Sequence, residues 1–389
     1  MDELSPLEAA ILEQITRNPF AGQQELADQM SIARSTVAAH IVSLTRKGYI
    51  LGRGYVLPEA KRVVCLGGAV LDRKFRASQP LVRGTSNPAT GFHSYGGVAR
   101  NVLENLALLG HATSFLSVVG DDQTGRNLLG HLRERGVDVS QVAQSSQRST
   151  AEYCAILSPS GDLDLGIADM EIFEELTPDR LDRAGAHLTS AALLFSDCNP
   201  PMETIYTLIE RSRGARYMLA IDPTSVHKAR RLPQDLTGVG LLFMNVDEAN
   251  GYLSGSFPAT RDGAAQAALA LRTRGAESVV VSAGTEGLCV ADSHGVSHVP
   301  ALPSHPVEVT GAGDAMIAGT LHAVLSGAPL ADAARTGALL AALTVESAST
   351  VRSDLNAAFL EQQGHRLPKA VRLGTSSSPL SFPVSGVPL

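Results

Sequence analysis

Hydrophobic and polar residues follow three different patterns along the chain. Up to residue 57, apolar side chains recur every three or four positions, as in amphipathic helices. Between residues 62 and 363, short continuous apolar runs alternate with helical patterns, which predicts an α/β domain with a doubly wound, mostly parallel sheet. From residue 366 to 389, a Ser- and Pro-rich run has no periodicity and predicts a disordered tail. We therefore expect a small N-terminal domain, a large α/β domain and an unstructured end.

The first stretch predicts three helices followed by a hairpin. The third helix, at residues 33–47, would bury Val37, Ile41 and Leu44 and leave polar side chains on its outer face. Glycines within residues 48–57 indicate a tight hairpin. This pattern resembles a winged helix-turn-helix, whose third helix enters the major groove of DNA. The resemblance implies DNA contacts from Arg34, Ser35, Thr36 and His40 on the helix and from Arg53 on the wing.

The charge of this unit does not decide whether it binds DNA. Residues 1–62 carry seven basic and seven acidic side chains, so the unit is neutral overall. Arg34, Arg46, Lys47 and Arg53 nevertheless fall on the expected DNA side. Winged helices also serve as protein-contact modules, so duplex DNA and another protein both remain candidate partners.

In the α/β stretch, polar side chains gather where the predicted strands end. The run from residue 63 reads as one buried strand with small residues at its end and Asp72 just past it. Ligands bind at the carboxyl edge of open α/β sheets, so we expect the functional site there. Two further extended runs form a hairpin that, with residues 73–95, would cover the site as a small β lid. Four later strands end in polar segments, at 197–199, 222–223, 245–248 and 282–287.

Residues 311–314, Gly-Ala-Gly-Asp, run directly into an apolar helical segment. Backbone N–H groups are unpaired at a helix start, and glycine lets a phosphate approach them, so Gly311, Ala312 and Gly313 are candidates for an anion hole. A carboxylate beside a phosphate makes chemical sense if it accepts the proton of an attacking hydroxyl, which makes Asp314 a candidate general base. A Gly-rich turn with Asp314 as an ordinary first-turn residue explains the same pattern equally well.

A second glycine pair, Gly96 and Gly97, opens another predicted helix. It is either an ordinary helix start or a place where a hydroxyl-rich ligand lies against the backbone, with Asn101 one turn further on to bond it. Asn245 and Glu248 offer a similar choice, between holding a magnesium ion through waters and capping a helix. Asp121 and Asp122 also precede a helix, where capping is favoured over a metal pair.

Together these motifs resemble the ribokinase-like (PfkB) carbohydrate kinases. Gly96-Gly97 with Asn101, Gly120 to Gly125, Asn245 to Glu248 and Gly311 to Asp314 occur in the order and spacing of that family, over about residues 62–360. The resemblance implies a ribokinase-like fold with a β lid and ATP-dependent phosphorylation of a sugar hydroxyl. ATP and Mg²⁺ would be the cofactors, with a monovalent cation as a further candidate.

The same resemblance assigns roles to individual residues. Asp314 would be the base, and Gly311, Ala312 and Gly313 the anion hole. The sugar contacts would be Asp72, Gly96, Gly97 and Asn101. Magnesium would bind at Glu248 and Asn245, and the nucleotide would lie near Asn245, Ser282, Gly284 and Gly287.

Within the family, the chain looks most like pseudouridine kinases. Segments 166–170, 197–199 and 222–228 resemble that branch, and they carry Asp169 and Lys228 as implied substrate contacts. One position departs from the pattern, because Val70 stands where an asparagine is usual and removes a hydrogen bond to the ligand. The implied reaction transfers the γ-phosphate of ATP to the 5′-hydroxyl of a ribonucleoside. Pseudouridine is the first candidate for this ribonucleoside. The alternatives are a kinase of another nucleoside or sugar, and a nucleoside-sensing transcription regulator that uses the kinase fold as its sensor.

Length and composition limit the classes of protein that fit. With 389 residues and 44% hydrophobic side chains, the chain can form one large domain and one small domain. It has no apolar run long enough to span a membrane and no leader at Met1, so we expect a cytoplasmic protein. The four cysteines are far apart, which favours reduced thiols. Lids of this family often meet across a dimer, so the resemblance also implies a homodimer.

Overall fold

The computed structural model describes residues 4–52 and 62–373. Its N-terminal unit contains helices α1 (Pro6–Arg17), α2 (Gln23–Met30) and α3 (Arg34–Arg46). Their buried faces meet in a small core that includes Val37, Ile41 and Leu44, as expected. Of the expected hairpin, residues 48–52 form no strand, and residues 53–57, with Arg53, lie outside the described residues.

The larger unit contains two β-sheets. Its strands are, in chain order, β1 (Val63–Leu66), β2 (Val70–Ala77), β3 (Ala89–Gly96), β4 (Thr113–Gly120), β5 (Val142–Ser145), β6 (Glu152–Leu157), β7 (Leu163–Asp169), β8 (Leu193–Asp197), β9 (Met218–Asp222), β10 (Leu241–Asn245), β11 (Ser278–Ser282), β12 (Leu288–Asp292), β13 (Gly295–Val299) and β14 (Val371–Leu373). Within the described residues, the central sheet has ten strands in the order β14-β13-β12-β11-β10-β9-β8-β1-β4-β5. The strands from β11 to β5 in this order are parallel, and β12 to β14 are antiparallel additions.

Helices cover both faces of the central sheet. They are α4 (Val98–Leu108), α5 (Gln123–Glu134), α6 (Pro178–Arg183), α7 (Gly185–Ser190), α8 (Met202–Ser212), α9 (Val226–Ala229), α10 (Val246–Leu253), α11 (Arg261–Arg272), α12 (Ala312–Leu325), α13 (Leu330–Val345) and α14 (Ala357–Gln362). Alternate residues of β1 enter different cores: Val64 packs with α8, α10 and α11, and Cys65 packs with α4, α5, α12 and α13. This two-sided burial confirms the expected doubly wound α/β fold.

The second sheet is the β lid, in the order β3-β2-β6-β7. The predicted hairpin of β6 and β7 is confirmed. Residues 73–95, where turn formers gave little periodicity, supply β3 and most of β2. Because side chains alternate along a strand, Asp72 and Lys74 lie on one face of the lid, and Leu71 and Arg73 lie on the other.

The expectation of one buried strand from residue 63 to Asp72 is wrong. β1 ends at Leu66, and the chain leaves the central sheet before it enters β2 of the lid. At this break Gly67 has φ +146°, and a Cβ there would lie 2.2 Å from Asp197 Oδ1, so the position requires glycine. Asp72 is therefore an interior residue of a lid strand, although it still lies near the carboxyl end of β1.

The expected disorder from residue 366 is wrong for the residues that the structure describes. Val371–Leu373 form β14 at the edge of the central sheet, paired with β13. Arg366 forms an ion pair with Glu346, with Nη2 2.8 Å from Oε1, which also holds this segment on the domain. Residues 374–389 lie outside the described residues.

The two units contact each other at the end of α3. Arg216 Nη1 donates a hydrogen bond to Tyr49 Oη at 2.6 Å, and a Cβ on Gly48 would lie 2.5 Å from the backbone nitrogen of Ser190. Ser190 ends α7, directly before β8. None of the helices in the described residues has the length and apolar composition needed to cross a membrane.

Candidate active site

The turn between β3 and α4 packs against Asp72. Gly96 ends β3, and Gly97 caps α4 with φ +96°. A Cβ on Gly96 would lie 2.1 Å from Asp72 Oδ2, and one on Gly97 would lie 2.3 Å from the carbonyl oxygen of Gly68. Glycine is required at both positions because any side chain would displace these neighbours. The turn therefore brings bare backbone and the Asp72 carboxylate together.

A buried carboxylate holds the surrounding loops in place. Asp197, the last residue of β8, accepts hydrogen bonds from the backbone nitrogens of Gly68 at 2.9 Å and Ala99 at 3.1 Å. It also accepts hydrogen bonds from the backbone and side-chain nitrogens of Asn199, at 2.9 and 2.8 Å. Asp197 thus ties the end of β1 to the start of α4. Sequence analysis left it without a role, although its position at a strand end was the available signal.

Asp314 lies in the first turn of α12, directly after a glycine cap. Gly311 has φ +87°, and a Cβ there would lie 2.2 Å from the carbonyl oxygen of Thr350. A Cβ on Gly313 would meet open space, so a phosphate can approach the first N–H groups of the helix. Asn101 Nδ2 donates a hydrogen bond to Asp314 Oδ2 at 2.5 Å. The helices α4 and α12 therefore bring Asn101, the glycine turn and Asp314 together.

Several acidic groups around Asp314 have raised pKa values. Burial raises the pKa of Asp314 to about 6, against the effect of the Asn101 hydrogen bond. Burial also raises the pKa of Asp72 to about 6. Burial and the nearby Glu248 raise the pKa of Asp222 well above its usual range, and burial raises that of Glu248 itself. A cation bound among these carboxylates would favour their charged forms and lower these pKa values.

One cavity, of about 350 Å³, adjoins the start of α12. Ala312 and Gly313 line it, together with Ser282, Gly284 and Gly287, which were expected near the nucleotide. Gly287 has φ +88°, and a Cβ there would lie 2.2 Å from the carbonyl oxygen of Val299. Most of the remaining lining is aliphatic, from residues such as Leu288, Leu302, Met316 and Ala338. Such a lining suits a flat aromatic ring with a few polar contacts.

A second cavity, of about 500 Å³, lies between the lid and the segment before α12. Asp72 and Lys74 line it from the lid, and Glu308 lines it from the opposite segment. Lys74 Nζ lies 2.9 Å from Glu308 Oε2 and 3.2 Å from Thr310 Oγ1. Although burial opposes the shift, hydrogen bonds from Thr310 and Lys74 lower the pKa of Glu308 to about 2. Sequence analysis missed this link between the lid and residues 308–310, because no local pattern pairs residues so far apart.

Asn245 and Glu248 form a capping box at the start of α10. Asn245 Oδ1 accepts from the backbone nitrogen of Glu248 at 2.8 Å, and Glu248 Oε2 accepts from that of Asn245 at 2.9 Å. Within residues 4–52 and 62–373, no three His, Cys, Asp or Glu side chains are grouped to hold a metal directly. Glu248 keeps one oxygen outside the box, and this oxygen fits contact with a water of a hydrated magnesium ion. Asp122 likewise caps α5, through a hydrogen bond of 2.7 Å from the Gly125 nitrogen.

The structure does not bring Asp169 to Asp72. Asp169 ends β7 and pairs with Glu152, which in turn pairs with Leu71. This row of paired residues lies on the face of the lid opposite to Asp72, and the Asp169 side chain is exposed. A role of Asp169 in binding the same ligand within one chain therefore has no geometric support.

Lys228 lies in α9 and joins the cluster around Asp197. Its ammonium group donates a hydrogen bond to Asn199 Oδ1, and Asn199 itself donates to Asp197. Burial lowers the pKa of Lys228, against the effect of Asp197. Its contacts place it at the carboxyl edge of β8 and β9, beside the loops that hold the glycine turn.

Four of the residues expected to contact DNA lie in the first half of α3. Arg34 and Ser35 are exposed, and Thr36 and His40 are half-buried. Arg53 belongs to the part of the chain that the structure does not describe. The described residues therefore keep a polar helix face at the surface of the N-terminal unit.

Comparisons with known proteins agree with both units. Residues 60–357 match the family model for pfkB family carbohydrate kinases, and residues 4–50 match that for winged helix-turn-helix DNA-binding domains. An uncharacterized sugar kinase of Escherichia coli (strain K12), YeiI, is 33% identical over 354 residues, which cover 90% of this chain and 96% of that protein. A pseudouridine kinase of the same organism is 30% identical over 301 residues, 77% of this chain and 95% of that protein.

A solved structure gives the same result for the fold. A carbohydrate kinase from Agrobacterium tumefaciens superimposes with a TM-score of 0.70 and 30% sequence identity, over 80% of this chain and 100% of that chain. The sequence similarity, the ribokinase-like architecture and the glycine-capped α12 with Asp314 point to the same chemistry. The chain therefore belongs to the pfkB family of carbohydrate kinases, phosphotransferases with an alcohol group as acceptor, and carries a winged helix-turn-helix unit at its N-terminal side.

Proposed function

We propose that this kinase transfers the γ-phosphate of ATP to the 5′-hydroxyl of a ribonucleoside, with pseudouridine as the first candidate. The observation that carries the proposal is the position of Asp314. It lies in the first turn of α12, beside the cavity of about 350 Å³, and near Asp72, which lines the cavity of about 500 Å³. A phosphate bound at α12 and a sugar bound at Asp72 would meet near Asp314. Similarity to a pseudouridine kinase supports the choice of nucleoside.

In the proposed reaction, the 5′-oxygen attacks the γ-phosphorus while the bond from this phosphorus to the bridging oxygen of ADP breaks. The proton of the hydroxyl passes to the carboxylate of Asp314. The N–H groups at the start of α12, from Gly311 to Gly313, stabilise the oxygens of the phosphoryl group. Because this transition state is loose, most of the catalysis comes from positioning and charge stabilisation.

Asp72 orients the acceptor in this proposal. Its carboxylate accepts hydrogen bonds from ribose hydroxyls, and the bare backbone of Gly96 and Gly97 allows the sugar to lie flat against the turn. Mg²⁺, when bound, neutralises charge on the phosphates. Glu248 is the residue that we propose to hold its waters, with Asn245 fixing the orientation of Glu248.

The residue at position 70 bears on which base the kinase accepts. Val70 is buried at the start of β2, opposite Gly96, and cannot donate a hydrogen bond to a base. The test is an ATP-consumption assay of the purified protein with pseudouridine, uridine, other nucleosides, ribose and fructose. We expect the highest kcat/KM with pseudouridine. A higher value with ribose or fructose would replace the nucleoside by a free sugar, and no turnover with any acceptor would favour a ligand sensor.

We also propose that the N-terminal unit binds duplex DNA. The family model for this unit describes DNA-binding domains, and Arg34 and Ser35 are exposed at the start of α3. Their donors suit base edges in a major groove. In this proposal the nucleoside modulates DNA binding, and the protein is both a kinase and a regulator.

A homodimer joined through the lids is the third part of the proposal. Leu163, Leu165 and Ile167 alternate along the edge strand β7, and they are 58%, 52% and 57% exposed. An edge strand with apolar side chains is prone to pair with another chain. Light scattering should give the mass of a dimer, and Leu165→Lys should shift it to that of a monomer. Val82→Lys, at an exposed position of the loop between β2 and β3, should leave the mass unchanged. A monomeric wild-type protein would exclude the dimer.

A further inference from the structure

A chain of buried polar side chains runs from Asp314 through α4 towards α5. It begins with the hydrogen bond from Asn101 Nδ2 to Asp314 Oδ2. The Asn101 Oδ1 atom accepts a hydrogen bond from Arg100, whose guanidinium also pairs with Glu104. Arg100, Asn101 and Glu104 are 2%, 4% and 2% exposed, so this polar path crosses the interior of the domain. Buried charges are costly unless each is paired, and here each one has partners.

Arg100 uses its planar fork to hold several groups at once. Its Nε donates to the carbonyl oxygen of Gly96 at 3.1 Å, and Nη2 donates to that of Tyr95 at 2.6 Å. The same nitrogen, Nη2, donates to Asn101 Oδ1, and Nη1 donates to Glu104. Arg100 therefore contacts both the turn that packs on Asp72 and the amide that bonds Asp314. A guanidinium can hold these groups together because its donors lie in one rigid plane.

The contact to Asn101 sets the direction of the amide. Asn101 Oδ1 faces a donor that cannot lose its proton, so the amide nitrogen must point to Asp314. If the amide turned over, its oxygen would face the Asp314 carboxylate and its N–H groups would face Arg100, and both contacts would be lost. The guanidinium thus selects the one amide orientation that donates to the carboxylate.

Glu104 closes the network from the other side. Its Oε1 atom lies 3.0 Å from Nε2 of His131, on α5, and also accepts a hydrogen bond from Arg135, at the end of α5. His131 and Arg135 are partly exposed, with side-chain exposures of 26% and 24%. Although burial opposes the shift, His131 and Arg100 lower the pKa of Glu104. Glu104 therefore stays charged and fixes the guanidinium in the interior.

We propose that Arg100 is a positioning residue for phosphoryl transfer: through Asn101 it orients the Asp314 carboxylate, and through the Tyr95–Gly96 carbonyls it orients the turn that packs on Asp72. Glu104 holds Arg100 in place. The inference rests on the proposed function, because it assigns Arg100 a role in that reaction. None of these residues lines the cavity at the start of α12 where we propose that ATP binds, so we expect Arg100 to affect the acceptor more than the nucleotide.

The test variant is Arg100→Lys, which keeps the positive charge and removes the planar guanidinium group. A single ammonium cannot reach Gly96, Tyr95, Asn101 and Glu104 together. We expect kcat to fall about 10- to 100-fold and the nucleoside KM to rise about 5-fold or more, with the ATP KM within twofold of wild type. Simple loss of folded protein would lower the apparent kcat and leave both KM values unchanged.

A double-mutant cycle shows whether Arg100 acts through Asn101. In an Asn101→Ala background, Arg100→Lys should cost less than threefold in kcat, because the amide that it orients is gone. Arg126→Lys is the matched control, since Arg126 forms an exposed ion pair with Asp121 on the same side of the domain, and it should behave as wild type. If Arg100→Lys does not fold, Glu104→Gln replaces it and should give the same split between the two KM values.

The outcomes separate this inference from the proposed function. A wild-type protein that phosphorylates no acceptor overturns the proposed function, and the inference falls with it. An active wild-type protein with unchanged kinetic constants in Arg100→Lys, or in Glu104→Gln where that variant is used, overturns the inference alone. Equal increases in both KM values overturn it too. So does full additivity of the Arg100 and Asn101 substitutions on kcat.

Discussion

Asn101 and Asp314 stand 213 positions apart in the chain, and their side chains are joined by a hydrogen bond of 2.5 Å. The bond links the helix that starts at the Gly96–Gly97 turn to α12, the helix that Gly311 caps. It occupies Oδ2 of Asp314 and leaves Oδ1 for another partner. In the proposed reaction that partner is the hydroxyl of the acceptor, so the sugar side and the phosphate side of the site meet at one carboxylate.

Replacing Asp314 with Asn should abolish turnover and leave binding nearly intact. The amide keeps the shape of the side chain and loses the proton acceptor, which typically costs about 100- to 10,000-fold in rate. Calorimetry should give nucleoside and ATP dissociation constants within about threefold of wild type, a difference below ~1 kcal/mol. Asp332→Asn, at an exposed position of α13, is the control. A variant that keeps more than a tenth of the wild-type kcat would remove Asp314 from the base role.

Asp72→Ala should act on the acceptor and spare the nucleotide. Charge-assisted hydrogen bonds are worth about 1.5 to 3 kcal/mol each, so losing those to the ribose should raise the nucleoside KM about tenfold or more. The ATP KM should stay within twofold of wild type, because Asp72 does not line the cavity at the start of α12, where we propose that the nucleotide binds. Steady-state kinetics with each substrate varied in turn give both constants. If the two constants rise together, Asp72 supports the fold and does not touch the sugar.

The pH dependence of the rate should reflect the raised pKa of Asp314. Burial raises this pKa to about 6, and the base works only as a carboxylate. Because kcat/KM reports the pKa values of the free enzyme, kcat/KM for the nucleoside should increase with pH through about 6 and then level off. The negative charge of Asp72 contributes to the shift. Asp72→Asn removes that charge and should therefore move the acid limb of the profile to lower pH. A limb that stays in place or moves upward in Asp72→Asn would contradict this electrostatic coupling.

Gly97→Ala should disrupt the turn at the site. Gly97 has φ +96°, and the added methyl carbon would lie 2.3 Å from the Gly68 carbonyl oxygen. We expect a loss of stability of at least ~1 kcal/mol and a raised nucleoside KM, measured by thermal denaturation and by kinetics. Gly130→Ala in the middle of α5 is the control, because its methyl group would meet open space and alanine favours a helix by ~1 kcal/mol. Equal stability of the two variants would mean that the turn can relax.

Arg34→Ala should weaken sequence-specific DNA binding without changing kinase activity. Arg34 is exposed at the start of α3, where the side chain can reach base edges, and loss of such a contact typically costs about 1 to 3 kcal/mol. Selection of genomic fragments by the full-length protein, with and without pseudouridine, identifies the site, and titrations compare the variant with wild type. Ser146→Ala, at an exposed position of the kinase domain, is the control.

The regulator proposal fails if the N-terminal unit adds no DNA binding. Wild-type protein should enrich specific fragments over a variant that lacks residues 1–57. If both proteins enrich the same fragments, or neither enriches any, the unit is a protein-contact module. The kinase proposal is unaffected by either result, because it rests on the site around Asp314.

The sequence by itself determined which local structures form and where polar groups could gather. Gly311 and Gly97 stand at helix starts where φ is positive, and this requirement is local, so their spacing before a helical pattern was sufficient to find them. Apolar runs alternating with helical patterns were sufficient for the doubly wound fold, because parallel strands need crossover helices. The carboxyl edge of such a sheet is a shared edge, so residues at strand ends, such as Asn245, were found as a group.

Only the tertiary structure decided which of these groups touch and which face they occupy. The sequence pattern ran β1 and β2 together, whereas in the structure the chain leaves the central sheet after Leu66 and enters the lid at Val70. The order of strands across the lid turns Asp169 away from Asp72. The side-chain partners of Arg100 all lie within five residues of it in the chain, but the contact that gives the network its place in the site, from Asn101 to Asp314, spans 213 positions. Contacts between positions far apart in the chain depend on sheet order and helix packing. No short segment of the sequence determines either of them.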